Sequence, residues 1–326
     1  MRIGKITENA LKRSVIKQIK TEFKNETSAA VGTDCAFSKE KKTFSTICPV
    51  TENISDSGYY AVVKAVNGLL VQGIVPEQVN LSILLPPDAE EAEIKQIVKD
   101  AIEASRLSGV IYTGGHTEVT GAVNRPVITA VCTGSEIKKG AEHLISGKAK
   151  AGDFLVISKW IGMEGSAMLA KEKFEELKTK YPAPFIDDAA DFKRHLCIAE
   201  DMDVAIAAGI TAAHDLSNGG VFAGLWEIAQ KQGLGLKADL RSIPVRQETI
   251  EICEFFELNP YQLLSGGAVI FATDNGEKLA TALLERGIPA AVVGQLSEGK
   301  GKTLVNADET RFLDLPQSDE IHRILN

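Results

Sequence analysis

His214-Asp215-Leu216-Ser217-Asn218-Gly219-Gly220 decides the reading of this chain, together with Gly114-Gly115-His116-Thr117-Glu118 well upstream of it. Each follows an apolar, β-branched run with the character of a strand. Each then breaks into small residues carrying one or two side chains able to bind a metal or a phosphate. Paired glycines bring the backbone close to a ligand and leave N–H groups bare for an anion. A carboxylate or imidazole beside them is what a divalent cation on a nucleotide requires. Gly32-Thr33-Asp34 has the same make-up, so the three stretches are expected to meet in one site.

Outward from these stretches the pattern alternates. Residues 1–25 predict a helix with Leu11, Val15, Ile16 and Ile19 on one face. Ala29–Ile54 turns extended, in two strands divided at Lys39–Lys42, and Ser57–Val71 is a helix closed by Gly73. Strand Gln78–Leu85 stops at Pro86-Pro87. Asp88 and Glu91 then resemble a capping box opening a long helix, whose expected buried stripe is Ile94, Ile97, Val98, Ala101, Ile102 and Leu107. Strands follow at Val110–Thr113, leading into a loop, and at Val127–Thr133. Beyond a polar stretch near 140–152 the alternation resumes with strand Phe154–Ser158. Later strands are expected at Leu234–Lys237, Ala268–Ala272 and Ala290–Val293, with a helix opening at Gly220. Tyr181–Asp191, rich in Pro and Asp, reads as an exposed crossing. The fold class is α/β with ligand residues at strand ends. Its 326 residues predict two domains, 1–145 and 146–326.

A formal net charge of −8 argues against nucleic acid as the main partner, because phosphate neutralisation needs clustered Lys and Arg. The basic stretch Lys5, Lys12, Arg13, Lys17, Lys20 and Lys24 reads as the wet face of a helix. Cys35, Cys48, Cys132, Cys197 and Cys253 are scattered and odd in number, which supplies neither a zinc set nor a disulfide framework. Cys132 and Cys253 read as core thiols. No signal peptide opens the chain and no apolar run reaches membrane-span length, so a reduced, cytoplasmic setting is expected. P-loop and Rossmann glycine fingerprints are both missing.

The candidate residues each have a plain reading beside the functional one. Asp34 follows a glycine, as turn residues often do. Glu52, in Pro49-Val50-Thr51-Glu52-Asn53, is either a ligand or a solvated loop carboxylate. His116 and Glu118 alternate around Thr117 and share a face if the segment stays extended. Asp215 ends a strand, and Ser217, Asn218, Gly219 and Gly220 open a helix whose N–H groups suit phosphate. The alternative is an N-cap by Ser217 or Asn218. Ser265-Gly266-Gly267 is a further glycine pair, in a site or in a simple turn.

Taken in order, these pieces resemble the AIR synthase (PurM-like) superfamily, with a HypE-like flavour. Gly32-Thr33-Asp34-Cys35-Ala36 is similar to that family's Gly-Asp-Asp-Ala-Ala, and Asn67-Gly68-Leu69-Leu70 to its Asn-Asp-Leu-Ala. Gly114–Glu118 stands for Gly-Gly-Asp/Glu-Thr, Gly152-Asp153 for the opening of the second domain, and His214–Gly220 for His-Asp-x-Ser/Thr-x-Gly-Gly. The resemblance implies an N-terminal α/β domain forming a β-barrel at a homodimer interface, and a ferredoxin-like C-terminal domain. ATP with Mg²⁺ would lie between them and phosphorylate or activate a substrate oxygen. Asp34, Glu52 and Asp215 would hold metal, with Gly114, Gly115, Thr117, Ser217, Asn218, Gly219 and Gly220 around the nucleotide. His116 and Glu118 would serve catalysis, on a small molecule or a partner protein.

The chain departs from the family at Thr33, Gly68 and His116, where carboxylates are expected, and it ends in Asn326 rather than the cysteine of HypE-type proteins. The three missing carboxylates motivate the alternative of a catalytically silent nucleotide-binding or sensing homologue; a small-metabolite kinase is a further alternative, implied by the family's thiamine-monophosphate kinase.

Overall fold

A computed structural model describes residues 4–23, 29–38, 43–145 and 147–325. Two sheets organise the chain, and it is a mixed α/β protein. The first has the order β1-β2-β5-β3-β4, from Ala36–Ser38, Thr43–Val50, Gln78–Leu85, Ile111–Val119 and Val127–Gly134 in chain order. Strand β4 runs parallel to β3, and the other pairings are antiparallel. The expected divider at Lys39–Lys42 lies outside the described residues.

The second sheet has the order β12-β11-β8-β10-β6-β9-β7. Strands β6 (Phe154–Ser158) and β7 (Ala212–Asp215) precede β8 (Gly235–Asp239) and β9 (Val269–Thr273). Then come β10 (Ala290–Ser297), β11 (Lys302–Asn306) and β12 (Glu309–Phe312), the last two unforeseen in the sequence. Strands β8-β10-β6-β9 pair antiparallel throughout and form the ferredoxin-like centre of this unit.

Against the first sheet lies the Ser57–Leu70 helix, buried at every residue. A helix apolar all round belongs in an interior. Asn67 shows what encloses it: its amide donates to Leu196 O at 2.7 Å and its Oδ1 accepts from Ile198 N at 3.3 Å. Gly58 lets the next helix close in, since a Cβ there would sit 2.1 Å from Ile97 O.

Several local expectations change. The helix Glu91–Leu107 begins at Glu90 with no side-chain cap. It buries Ile97, Asp100, Ala101, Ala104 and Ser105, while Ile102 and Leu107 face outward, because only the side meeting the Ser57–Leu70 helix is covered. The N-terminal helical run Glu8–Phe23 has a wide π turn at Lys12–Ile16 and buries no residue. Ala183–Ala190 is a helix with Ile186 and Ala189 buried, where the Pro and Asp content had predicted an open crossing. Pro182 as its N-cap residue explains the error, since proline is tolerated at helix starts.

Candidate functional site

The first glycine pair stays in a strand. Strand β4 continues through Gly114–Glu118 instead of ending at Thr113. Gly114 and Gly115 take φ of +138° and +151° beside a register shift at Val79/Asn80. A Cβ on Gly115 would lie 1.8 Å from Leu81 O, so the close approach serves the neighbouring strand. His116 and Glu118 do share a face, with Nε2 and Oε2 3.1 Å apart, and both are exposed. None of the residues 114–118 lines the cavity at His214.

That cavity, of about 430 Å³, lies where the N-terminal segment, the 30–34 loop, the start of the Gly220–Gln232 helix and the C-terminal segment converge. Asp34, His214, Asn218 and Gly219 face into it, with Glu227, Asp319 and His322. The volume is within the range of small-ligand sites. Of the expected residues, then, Asp34, Asn218 and Gly219 come together. Asp215, Ser217, Gly220 and Glu52 are outside its lining.

His214 organises the floor. Its Nδ1 lies 3.0 Å from Asp34 Oδ1 and its Nε2 3.0 Å from Glu227 Oε2. Burial alone would push this imidazole down, but the two carboxylates outweigh it and raise it to about 10. It is therefore an imidazolium at neutral pH and donates from both nitrogens. Glu227, despite its own burial, is drawn well below the usual carboxylate range by His214 and by Lys5, whose Nζ is 2.5 Å from Oε1. Gln72 Nε2 donates to Asp34 Oδ2 at 2.8 Å. Asp34 thus spends both oxygens on protein donors.

Asp215 is placed differently. Burial, then Glu164 and Asp34, push its carboxyl up to about 7, and its Oδ1 is buried with no hydrogen-bond partner. An orphaned buried oxygen marks a place where a further donor or cation fits.

The Gly219 amide, at the helix start where an anion was expected, donates to Asp319 Oδ2 at 2.6 Å. The other oxygen of Asp319 accepts from Leu264 N and Ile321 N. Burial raises this carboxyl to about 7 against those hydrogen bonds. A carboxylate of the chain itself occupies the expected phosphate position.

Glu227 and Asp319 escaped the sequence reading, and so did the buried pair Lys64 and Glu164. Lys64 Nζ lies 3.1 Å from Glu164 Oε1, and both side chains are buried. Glu164 Oε2 accepts the Gly266 amide at 3.2 Å, which gives the Ser265-Gly266-Gly267 turn a part in the cluster. The signal was present: a lysine inside Tyr59-Tyr60-Ala61-Val62-Val63-Lys64-Ala65-Val66 has no wet face to reach.

Comparison with known proteins agrees with this architecture. The N-terminal domain of AIR synthase related proteins matches residues 14–135, and their C-terminal domain matches 150–306. Carbamoyl dehydratase HypE of Rhodobacter capsulatus is 27% identical over 285 residues, covering 85% of this chain and 82% of that protein. The HypE of Escherichia coli (strain K12) is 26% identical over 277 residues, covering 82% and 78%. Among solved structures, a HypE-HypF complex superposes with a TM-score of 0.76 at 23% identity, over 93% of this chain and 100% of that one. HypE in complex with ATP gives 0.72 at 20% identity, covering 86% of each chain. AaThiL complexed with AMPPCP and TMP gives 0.71 at 19% identity, covering 93% and 95%. With both halves matched in order by domains of one family, on the fold those domains build, this chain belongs to the AIR synthase related proteins.

Proposed function

We propose that the chain is an ATP-dependent enzyme that phosphorylates or activates a substrate oxygen, binding nucleotide in the cavity above His214. The observation that carries this reading is the cavity itself, which draws Asp34 from one unit and His214, Asn218 and Gly219 from the other onto a single hollow. The ATP and AMPPCP complexes of proteins with the same fold support it. Asn218 and Gly219, with Ser217 and Gly220 beside them, take the phosphates at the helix N-terminus. Phosphate there competes with Asp319 for the Gly219 amide.

Magnesium fits here only as an ion carried on the nucleotide. Among the described residues no three His, Cys, Asp or Glu side chains are arranged to hold a metal, so Asp34, Glu52 and Asp215 do not form a ligand set by themselves. An ion bound mainly by phosphates and water needs only one or two carboxylates. Asp215, with its free Oδ1, is the residue suited to it. Such an ion neutralises phosphate charge; His214 and the helix terminus orient what it accompanies.

Strand β4 is an edge strand, and the sheet exposes Ile47, Ile111 and Val119. Such an edge invites a second copy. A homodimer paired there would cover these residues and set Gly114, Gly115, His116, Thr117 and Glu118 against the second copy. Five unpaired cysteines favour a reducing, cytoplasmic setting. The substrate is a small molecule or a group on a partner protein.

Calorimetric titration of the folded protein with ATP and Mg²⁺ tests the reading, and absence of binding overturns it. A second reading, a nucleotide sensor without turnover, is favoured by the engagement of Asp34 with His214 and of Gly219 with Asp319. ATP turnover screened over Mg²⁺, Mn²⁺ and Zn²⁺ separates the two: binding without hydrolysis selects the sensor.

A further inference from the structure

A second hollow, of about 230 Å³, adjoins the cavity at His214. The two share Gly219 and the strap formed by residues 315–317. The strap passes close to the helix start: a Cβ on Gly219 would lie 3.8 Å from Gln317 O. Before it, Leu313 N donates to Lys302 O at 2.9 Å, and beyond it Asp319 accepts from Gly219 N. Ligands in the two hollows would therefore meet at this glycine.

The floor of the second hollow is apolar. Phe222, Leu304 and Leu313 line it and are buried, and Phe222 stacks on Tyr261 with ring centroids 5.2 Å apart. Arg311 stands against this floor. It lies opposite Leu304 in the β11–β12 pair, which puts the two side chains on one face. Its Cζ is 5.8 Å from the Phe222 ring centroid, near enough for the ring to orient the guanidinium. Arg194, Arg246 and Arg323 each pair with a carboxylate, whereas Arg311 makes no ion pair among the described residues. Asp314, the one acid in the lining, leaves it unpaired. Gln262 is also open to a ligand. Its Oε1 accepts from Asn259 Nδ2 at 3.3 Å, and its Nε2 donates to no protein group among the described residues.

A fork of N–H donors above an apolar floor suits an anion carried on an apolar body. The volume falls below the roughly 300–1,000 Å³ of drug-sized sites, so the ligand is small. We propose that this hollow binds a small carboxylic acid, with the carboxylate on Arg311 and the body against Phe222 and Leu304, as the substrate subsite beside the nucleotide cavity. The subsite role rests on the nucleotide-binding reading above; the acid site stands without it.

The test is calorimetry of the full-length protein with benzoate and with its uncharged counterpart benzamide. Arg311 is exposed on an edge strand, so Arg311→Gln is expected to fold as the native protein does. The native protein should prefer benzoate by about tenfold or more, the scale of one hydrogen bond to a charged group. Arg311→Gln should lose that preference. Benzoate should also shift the amide resonances of Gly219, Gln262 and Leu313. No uptake of benzoate at millimolar concentration overturns the proposal, as does a preference that survives Arg311→Gln, or shifts confined to other residues. Repeating the titration with a non-hydrolysable ATP analogue and Mg²⁺ present tests the subsite role: simultaneous occupancy supports it and mutual exclusion refutes it. An analogue that does not bind refutes the nucleotide reading instead and leaves the acid site standing.

Discussion

The Nδ1 of His214 lies 3.0 Å from Oδ1 of Asp34, joining the two sheet-bearing units across 180 positions of sequence. Because the partner on the other ring nitrogen is also a carboxylate, the imidazole is held as a cation, and Glu227 is drawn below the usual carboxylate range. The pair sets the charge of the cavity floor before any ligand arrives.

Stability should therefore decline toward alkaline pH. His214 is raised from 6.5 to about 10, so its contribution is complete below about 6.5 and is lost as pH rises through about 10. Asp215 and Asp319, raised from 3.8 to about 7, act in the same sense: the folded state holds their protons longer, and stability falls as pH climbs from about 4 through 7. Thermal melts from pH 5 to pH 10 should show both descents. His214→Gln should flatten the upper one, and an unchanged alkaline slope in that variant would disprove the assignment.

Removing the imidazole has a further cost. His214→Ala leaves Asp34 and Glu227 facing each other without their shared cation. Breaking a buried pair in this way costs about 3–5 kcal/mol, measurable by urea unfolding.

Gly115 and Gly114 should part company under substitution. Gly115→Ala drives a Cβ to 1.8 Å from Leu81 O, whereas the corresponding Cβ of Gly114 meets nothing within 4 Å. Gly114→Ala should cost about 1–3 kcal/mol from its positive φ alone. Gly115→Ala should cost clearly more and disturb the β3–β4 pairing. Equal losses in urea melts would count against this account.

Asn67→Ala removes the clasp to Leu196 O and Ile198 N. The loss of about 1–3 kcal/mol expected for orphaned buried groups should come with weaker cooperativity between the two units. Differential scanning calorimetry would reveal this as broadening or splitting of one transition.

Asp319→Asn tests the occupied anion position. Weakening the acceptor on the Gly219 amide should make inorganic phosphate or nucleotide bind more tightly, while the C-terminal segment loosens. Unchanged affinity in calorimetry would mean that phosphate does not use that amide.

Much of this was legible in the chain. Gln78–Leu85 and Phe154–Ser158 are strands over the residues their apolar runs predict, and the helix at Gly220 opens where the glycine pair implies. These elements follow from local periodicity and chain-breaking residues, which need no knowledge of neighbours. The stripe read for the long helix at 91–107 holds at Ile97 and Ala101, with Ile94 and Val98 partly buried, but Ile102 and Leu107 are exposed. Gly114–Glu118 was read as a loop because glycine weakens strand propensity; adjacent β3 holds it extended regardless.

By itself, then, the sequence determined the α/β alternation, the two-unit organisation expected of the chain, and the family, because periodicity and motif order are written along the backbone. Tertiary structure alone decided that His214 is a shared cation, that Asp319 occupies the Gly219 amide, and that Lys64 is buried against Glu164. Those facts are charges brought together from distant positions in a low-dielectric interior. Coulomb energy there depends on separation and burial, which only the fold defines.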